Sequence, residues 1–227
     1  MPRSTFPIQI ILVPQGIEYR AVCQGLGKVA NPPRVLPVPV GPLSLNRYLE
    51  GLYQDGCFAY PASILMMGLC GSLSPQYAVG DIVLYRECFY HSLPPLLCDR
   101  PLTSLLRQKL GEQIPLVKAL TSDRVVCSVA EKRSLSLYAD VVDMEGYAAL
   151  KFFQQVGIAI ATLRVISDDC HHDLPDLSAA FASDGSLQIL PLGLSMIRQP
   201  IAATRMIQGS LQGLKVLQTL TSALFTV

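Results

Sequence analysis

Hydrophobic positions along the chain follow two rhythms, short continuous runs and helical repeats, and the two alternate. IQIILVPQG (residues 8–16) is an apolar run stopped by proline and glycine, which predicts a buried strand meeting a turn. IEYRAVCQGLGK (17–28) then has helical spacing. RVLPVPVG (34–41) is extended, because the prolines in and around it exclude a helix. LSLNRYLEGLYQ (43–54) returns to the helical repeat. ASILMMGLCGSL (62–73) is apolar and ends in glycines, as a parallel strand buried on both faces does. AVGDIVLYRECFY (78–90) predicts another strand after a turn.

LTSLLRQKLG (102–111) predicts an amphipathic helix closed by glycine. IPLVKALTSD (114–123) and RVVCS (124–128) predict strands. Ser128, with Glu131 three residues on, has the form of a capping box and predicts a helix through Tyr138. MEGYAALKFFQQVG (144–157) predicts a helix ended by Gly157, and IAIATLRVISD (158–168) a buried strand. From Ser186 onward there is no Asp or Glu, and Ile207, Leu211, Leu214, Leu217 and Leu224 share one helical face. That stripe predicts a helix covering the sheet. Strands alternating with helices predict an α/β fold: a mixed, mostly parallel sheet with helices on both faces. No repeat or linker interrupts the pattern, so residues 1–227 are expected to form a single domain.

Composition narrows the classes of function. The net charge is +1 with no basic cluster, which excludes a phosphate-backbone footprint and predicts no nucleic-acid partner. Half of the residues are hydrophobic and 15% are charged, which hints at a subunit interface. The seven cysteines are odd in number and irregularly spaced, so reduced, mostly buried thiols in a cytoplasmic protein are expected. The N-terminal apolar stretch is too short for a span and lacks a signal-peptide cleavage pattern, so no membrane partner is expected.

In an open α/β sheet, ligands sit at the carboxyl ends of strands. Glu18, residues 68–71, and Ser167 with Asp168 fall at such ends, and Glu145 falls just inside a helix start. Asp168, Asp169, His171, His172 and Asp173 are five potential metal ligands, but adjacent residues without metal-site spacing do not make a metal site, and none is expected. A nucleophile elbow, a Walker A loop and a dinucleotide glycine fingerprint are absent, so no cofactor is expected either. Proton transfer remains. Asp168 follows a strongly apolar strand, and desolvation there would suit it to act as a general acid. A loop aspartate capping the next helix is the plainer reading of the same position.

Three stretches in order make the pattern more specific. They are Gly68-Leu69-Cys70-Gly71 followed by Val79-Gly80-Asp81-Ile82-Val83, then Met144-Glu145 after a strand, then Arg164-Val165-Ile166-Ser167-Asp168. Together they resemble the purine nucleoside phosphorylase/uridine phosphorylase superfamily, and in pattern its 5′-methylthioadenosine/S-adenosylhomocysteine nucleosidases. The resemblance implies cleavage of the ribose–base N-glycosidic bond of a purine nucleoside, with water or phosphate as co-substrate. It assigns Asp168 to the purine N7, Ser167 to orienting Asp168, Glu145 to the ribose hydroxyls and Met144 to the sugar face. The chain near Cys70, Gly71 and Val126 would line the base pocket, and Glu18 would activate water. A homodimer or larger assembly is also implied.

The sequence departs from that pattern at the phosphate site. Met66 stands where family phosphorylases carry an arginine, and Leu69 where a serine is usual. Val125 replaces an aromatic that nucleosidases often place against the base. Hydrolysis is therefore the expectation. A phosphorylase with an altered phosphate site, using Arg20 or Arg47, and a non-catalytic nucleoside-binding protein on the same fold are the alternatives.

Overall fold

The computed structural model describes residues 7–58, 63–177 and 189–226. Eight strands form one sheet: β1 (Ile10–Pro14), β2 (Arg34–Val38), β3 (Ser63–Ser72), β4 (Ile82–Phe89), β5 (Leu96–Leu97), β6 (Leu116–Thr121), β7 (Val141–Asp143) and β8 (Ala159–Asp168). The helices are α1 (Ile17–Leu26), α2 (Pro42–Gln54), α3 (Arg100–Leu110), α4 (Val129–Leu135), α5 (Gly146–Gln155), α6 (Ile189–Arg198) and α7 (Pro200–Phe225). The fold is the expected mixed, mostly parallel α/β architecture. The first residue of the predicted third strand, Ala62, and the start of the predicted tail at Ser186 lie outside the described residues.

The sheet is not open. β3 bonds to β8, β8 to β4, β4 to β6, β6 to β7, and β7 back to β3, so five strands close a ring. Where the ring closes, the register between β3 and β8 shifts between Cys70 and Gly71, leaving Ser167 of β8 as the extra residue. An extra residue at such a point bends the strand and increases its twist. Gly71 thereby faces both Asp168 of β8 and Val142 of β7. The residues that the motifs singled out therefore gather where the ring closes.

Alternation along each strand gives the sheet two apolar faces. Leu12, Ile64, Met66 and Ile166 pack with Leu45 and Leu49 of α2 and Leu150 and Phe153 of α5. Ile11, Leu65, Met67 and Val165 pack with Val22 of α1, Leu106 of α3 and Leu217 and Leu220 of α7. β1 ends at Pro14, and Gly16, at φ +100°, makes the sharp entry into α1 that puts Glu18 in its first turn. Gly157, at φ +71°, ends the turn after α5.

Three expectations are corrected. Residues 124–128 form no strand. The Leu174 N–H donates to the Cys127 carbonyl at 2.9 Å, so this segment bonds to the loop after β8 and not to a sheet edge. Ser128 stands at the N-cap of α4 without a side-chain cap bond. The Val129 N–H donates instead to Asp173 Oδ1 at 2.7 Å, and the helix stops at Leu135. On α7, Leu217 and Leu224 are buried as expected, but Ile207 and Leu211 are exposed. There the buried positions are Gly209 and Gly213. A Cβ at 209 would collide with the Ser167 carbonyl, and one at 213 with Leu69 Cδ2 at 2.9 Å. The helix approaches β3 and β8 too closely for leucines to stand between.

Among the cysteines, Cys70, Cys88 and Cys98 are buried and the other four are half-buried, and all are free thiols. No helix among the described residues is long and apolar enough to cross a membrane.

The α1–α7 contact is tight enough to test. A Cβ at Gly25 would lie 2.5 Å from the Gln218 carbonyl oxygen and 2.8 Å from Thr221 Cβ, whereas one at Gly51 of α2 meets nothing within 4 Å. Overpacking costs about 1–3 kcal/mol, and a helical Gly-to-Ala change gains up to about 1 kcal/mol. Chemical denaturation should therefore find G25A less stable than the wild type and G51A more stable. Equal effects of the two would refute this packing.

Candidate active site

A cavity of about 390 Å³ opens where the ring closes. Its wall brings together all eight residues singled out by the sequence: Glu18, Cys70, Gly71, Val126, Met144, Glu145, Ser167 and Asp168. They arrive from α1, β3, the segment before α4, the turn from β7 into α5, and β8. Val125, Leu174 and Leu177 add apolar surface at one end, and Met206 and Ser210 of α7 complete the lining.

At the inner end a single guanidinium organises the charges. Arg164 of β8 is wholly buried. Its Nη2 donates to Asp143 Oδ2 at 2.8 Å and to Glu145 Oε2 at 3.2 Å. Asp143 also accepts from the Thr121 hydroxyl at 2.7 Å and from the Gly146 N–H at 3.0 Å, so the same carboxylate fastens the start of α5. Glu145 Oε1 accepts from the Gly41 N–H at 3.3 Å. Gly68 lies directly beside this group. A Cβ there would collide with Arg164 Nη1 and Glu18 Oε2, so only glycine lets the two approach each other. Arg164 Nε and Nη1 have no hydrogen-bond partner among the described residues.

Glu18 faces the same space, and its Oε2 accepts from the Leu69 N–H at 2.7 Å. Burial of its carboxyl lifts the pKa from 4.5 to about 7, against the pull of Arg164. Glu145 is likewise raised to about 7, by burial first, against the attraction of Arg164 and with a smaller push from Asp143. The pKa of Arg164 is raised as well, so it holds its proton more firmly and stays charged. Burial disfavours its charge, but Asp143, Tyr85, Glu145 and Glu18 outweigh that.

At the other end Asp168 is held by both oxygens. Lys132 Nζ pairs with Oδ1. The Ser167 hydroxyl lies 3.0 Å from Oδ2 and 3.2 Å from the Cys70 carbonyl oxygen, and donates to one or the other. The absent side chain at Gly71 makes room for this carboxyl, since a Cβ there would lie 2.9 Å from Oδ1. The remainder of DDCHHD turns away from the cavity. Asp169 Oδ1 accepts from the N–H groups of His171 and His172 at 2.8 and 3.0 Å, and the exposed His172 ring pairs with the same carboxylate. Arg20 and Arg47 are exposed and do not line the cavity, and Met66 is wholly buried in the core.

Sequence reading passed over three contributors. Arg164 had a signal, a charge in the middle of an apolar strand. Asp143 had only its place beside Met144-Glu145. Lys132 had none, because VAEKRSL reads as a solvated helix, yet this lysine is wholly buried.

Carboxylates at the carboxyl ends of parallel strands, around a cavity open to solvent and with a guanidinium beneath them, define a site for a small polar molecule. The sequence matches the Phosphorylase superfamily over residues 57–189, and the chain belongs to that family. Membership makes it an enzyme of N-glycosidic bond cleavage at the family level. No curated protein sequence matches it. Solved structures share its fold. A mutant methylthioadenosine nucleosidase of Helicobacter pylori holding 5′-methylthioadenosine is 16% identical, covers 93% of this chain and 96% of its own, and gives a TM-score of 0.63. The native futalosine hydrolase of H. pylori strain 26695 is 16% identical over 96% of this chain and 98% of its own, at 0.64. The S. pneumoniae 5′-methylthioadenosine/S-adenosylhomocysteine nucleosidase is 14% identical over 95% and 98%, also at 0.64.

Two stability predictions follow from the charges. Arg164→Met leaves Asp143 and Glu145 buried without their cation, a loss of the kind that costs about 3–5 kcal/mol. Its denaturation midpoint should fall accordingly, and an unchanged midpoint would refute the pairing. Glu18 has a folded pKa of about 7 against 4.5 for the free carboxyl, so the folded state binds the extra proton between those values. Its contribution to stability therefore declines as pH rises from about 4.5 to about 7 and is flat above. Melting curves should show Glu18→Gln gaining on the wild type from pH 5 to pH 8, and a constant difference would contradict the raised pKa.

Proposed function

We propose that the protein hydrolyses the ribose–base bond of purine nucleosides of the methylthioadenosine or adenosylhomocysteine type. The observation that carries this reading is Glu18: a buried carboxyl with a pKa of about 7, on the inner side of the cavity, next to unpartnered N–H groups of Arg164. A general base works best with a pKa near the operating pH. The inner end carries three carboxyl groups, and its guanidinium is already engaged by two of them. Two carboxyl groups already take the charge of that guanidinium, so a phosphate dianion would meet net repulsion there, whereas a neutral water finds an acceptor in Glu18 and a donor in the remaining N–H groups of Arg164.

In this reading the ribose lies over Met144, its hydroxyls bond Glu145, and the base sits against Val126 and the chain at Cys70 and Gly71. Asp168, oriented by Ser167, gives a proton to N7 as the bond from C1′ to the base breaks. The base then leaves neutral. The sugar passes through an oxocarbenium-like state whose positive charge the nearby carboxylates stabilise. Water held between Glu18 and Arg164 bonds C1′ and gives its proton to Glu18. A homodimer or larger assembly is part of the reading. Ile17 and Leu211, exposed beside each other along the α1–α7 groove at the cavity's edge, support it.

The test is release of free base from methylthioadenosine, adenosylhomocysteine, adenosine and inosine in phosphate-free buffer. Release is expected, with a rate that climbs as pH rises through about 7 and Glu18 becomes a carboxylate. Asp168→Asn and Glu18→Gln should each lose about 10²–10⁴ in kcat. Release only when phosphate is added would replace hydrolysis by phosphorolysis, and binding without release would make the protein a nucleoside binder.

A further inference from the structure

Lys132 is the one wholly buried lysine of α4, and its ammonium is aimed at the site from behind. Nζ pairs with Asp168 Oδ1 and donates to the Asp169 carbonyl oxygen at 2.6 Å. No other cation among the described residues bonds to Asp168. Arg124 is taken by Glu131 at 2.7 Å, and Arg164 by Asp143 and Glu145. Two further bonds lock the segment that carries Lys132 onto the loop after β8, from Val129 N–H to Asp173 and from Leu174 N–H to the Cys127 carbonyl. Burying a lysine is unfavourable unless its charge is matched. A surface contact would serve packing as well, so this placement calls for a reason in the chemistry.

We propose that Lys132 is a positioning residue for leaving-group protonation, holding Asp168 in place and serving as the counter-ion of the carboxylate that forms when Asp168 gives its proton to the base. The role rests on the hydrolytic reading above. The O–H bond of Asp168 breaks, N7 gains that proton, and the electron pair of the C1′–N9 bond passes to the base. Water bonds C1′ and its proton goes to Glu18. Asp168 is left negative, and the ammonium–carboxylate pair of the structure is the state to which it returns once the proton is on the base. An opposite charge within contact distance favours that state in a site of low dielectric. Cys70 of β3 and Cys127 before α4 also face this pair, and burial holds both thiols above their ordinary range and so uncharged.

The experiment compares two leaving groups. A purine must be protonated to leave, whereas 4-nitrophenolate leaves a 4-nitrophenyl riboside as a stable anion. Lys132→Met should lose about 100-fold in kcat on the purine nucleoside and stay within about threefold on the nitrophenyl riboside. Lys132→Arg, which keeps the charge, should recover most of the purine rate. Lys132→Gln keeps an N–H donor without the charge and should behave as the methionine variant does, which covers the case in which the latter does not fold. Equal losses on both substrates would make Lys132 a structural residue only and overturn the proposal, as would no loss on either. Wild-type protein inactive toward both substrates would instead overturn the hydrolytic reading itself.

Discussion

Everything at the site hangs on one buried guanidinium. A charge as deeply enclosed as that of Arg164 is tolerated only with opposite charge in contact, and the chain supplies it from two directions. Asp143 ends β7 and Glu145 opens α5, so the ion cluster joins the sheet to the helix that follows. The same demand fixes Gly68, since no side chain fits between Arg164 and Glu18. Remove the guanidinium, and the closing strand, the helix start and the acid of α1 lose their common reference point.

That arrangement divides the cavity into two ends of different character. At the inner end Glu18 and Glu145 are pushed towards neutrality by burial while Arg164 keeps donors in reserve. At the outer end Asp168 is drawn into a pair with Lys132 and lies over the bare backbone of Gly71. Carboxyl groups in unlike surroundings can take unlike roles at one pH, and that separation is what acid–base chemistry at a bond between sugar and base requires.

Much of this was readable in the chain. The buried strands announced themselves because a strand covered on both faces is apolar throughout, and GLCG and RVISD fell at strand ends for that reason. The resemblance then drew Glu18, Met144-Glu145 and Ser167-Asp168 together, and the fold brings them around one cavity. Closure of the sheet was not readable, because it rests on pairings between strands distant in sequence, with a one-residue register shift at Cys70 and Gly71 that leaves no compositional trace. The buried face of α7 departs from its hydrophobic stripe for a related reason. Close approach selects Gly209 and Gly213, and a hydrophobic stripe marks only the contacts that have side chains to make them. Ser128 and Glu131 have the letters of a capping box, but Asp173, distant in sequence, takes the N–H of Val129. Lys132 escaped entirely, since only the folded chain brings β8 beside α4.

The choice of water over phosphate at the inner end is the central claim, and the sugar product decides it most directly. Methylthioadenosine turned over in phosphate buffer, with the products identified by mass spectrometry, should yield free 5-methylthioribose and adenine. Accumulation of the sugar 1-phosphate would contradict the account.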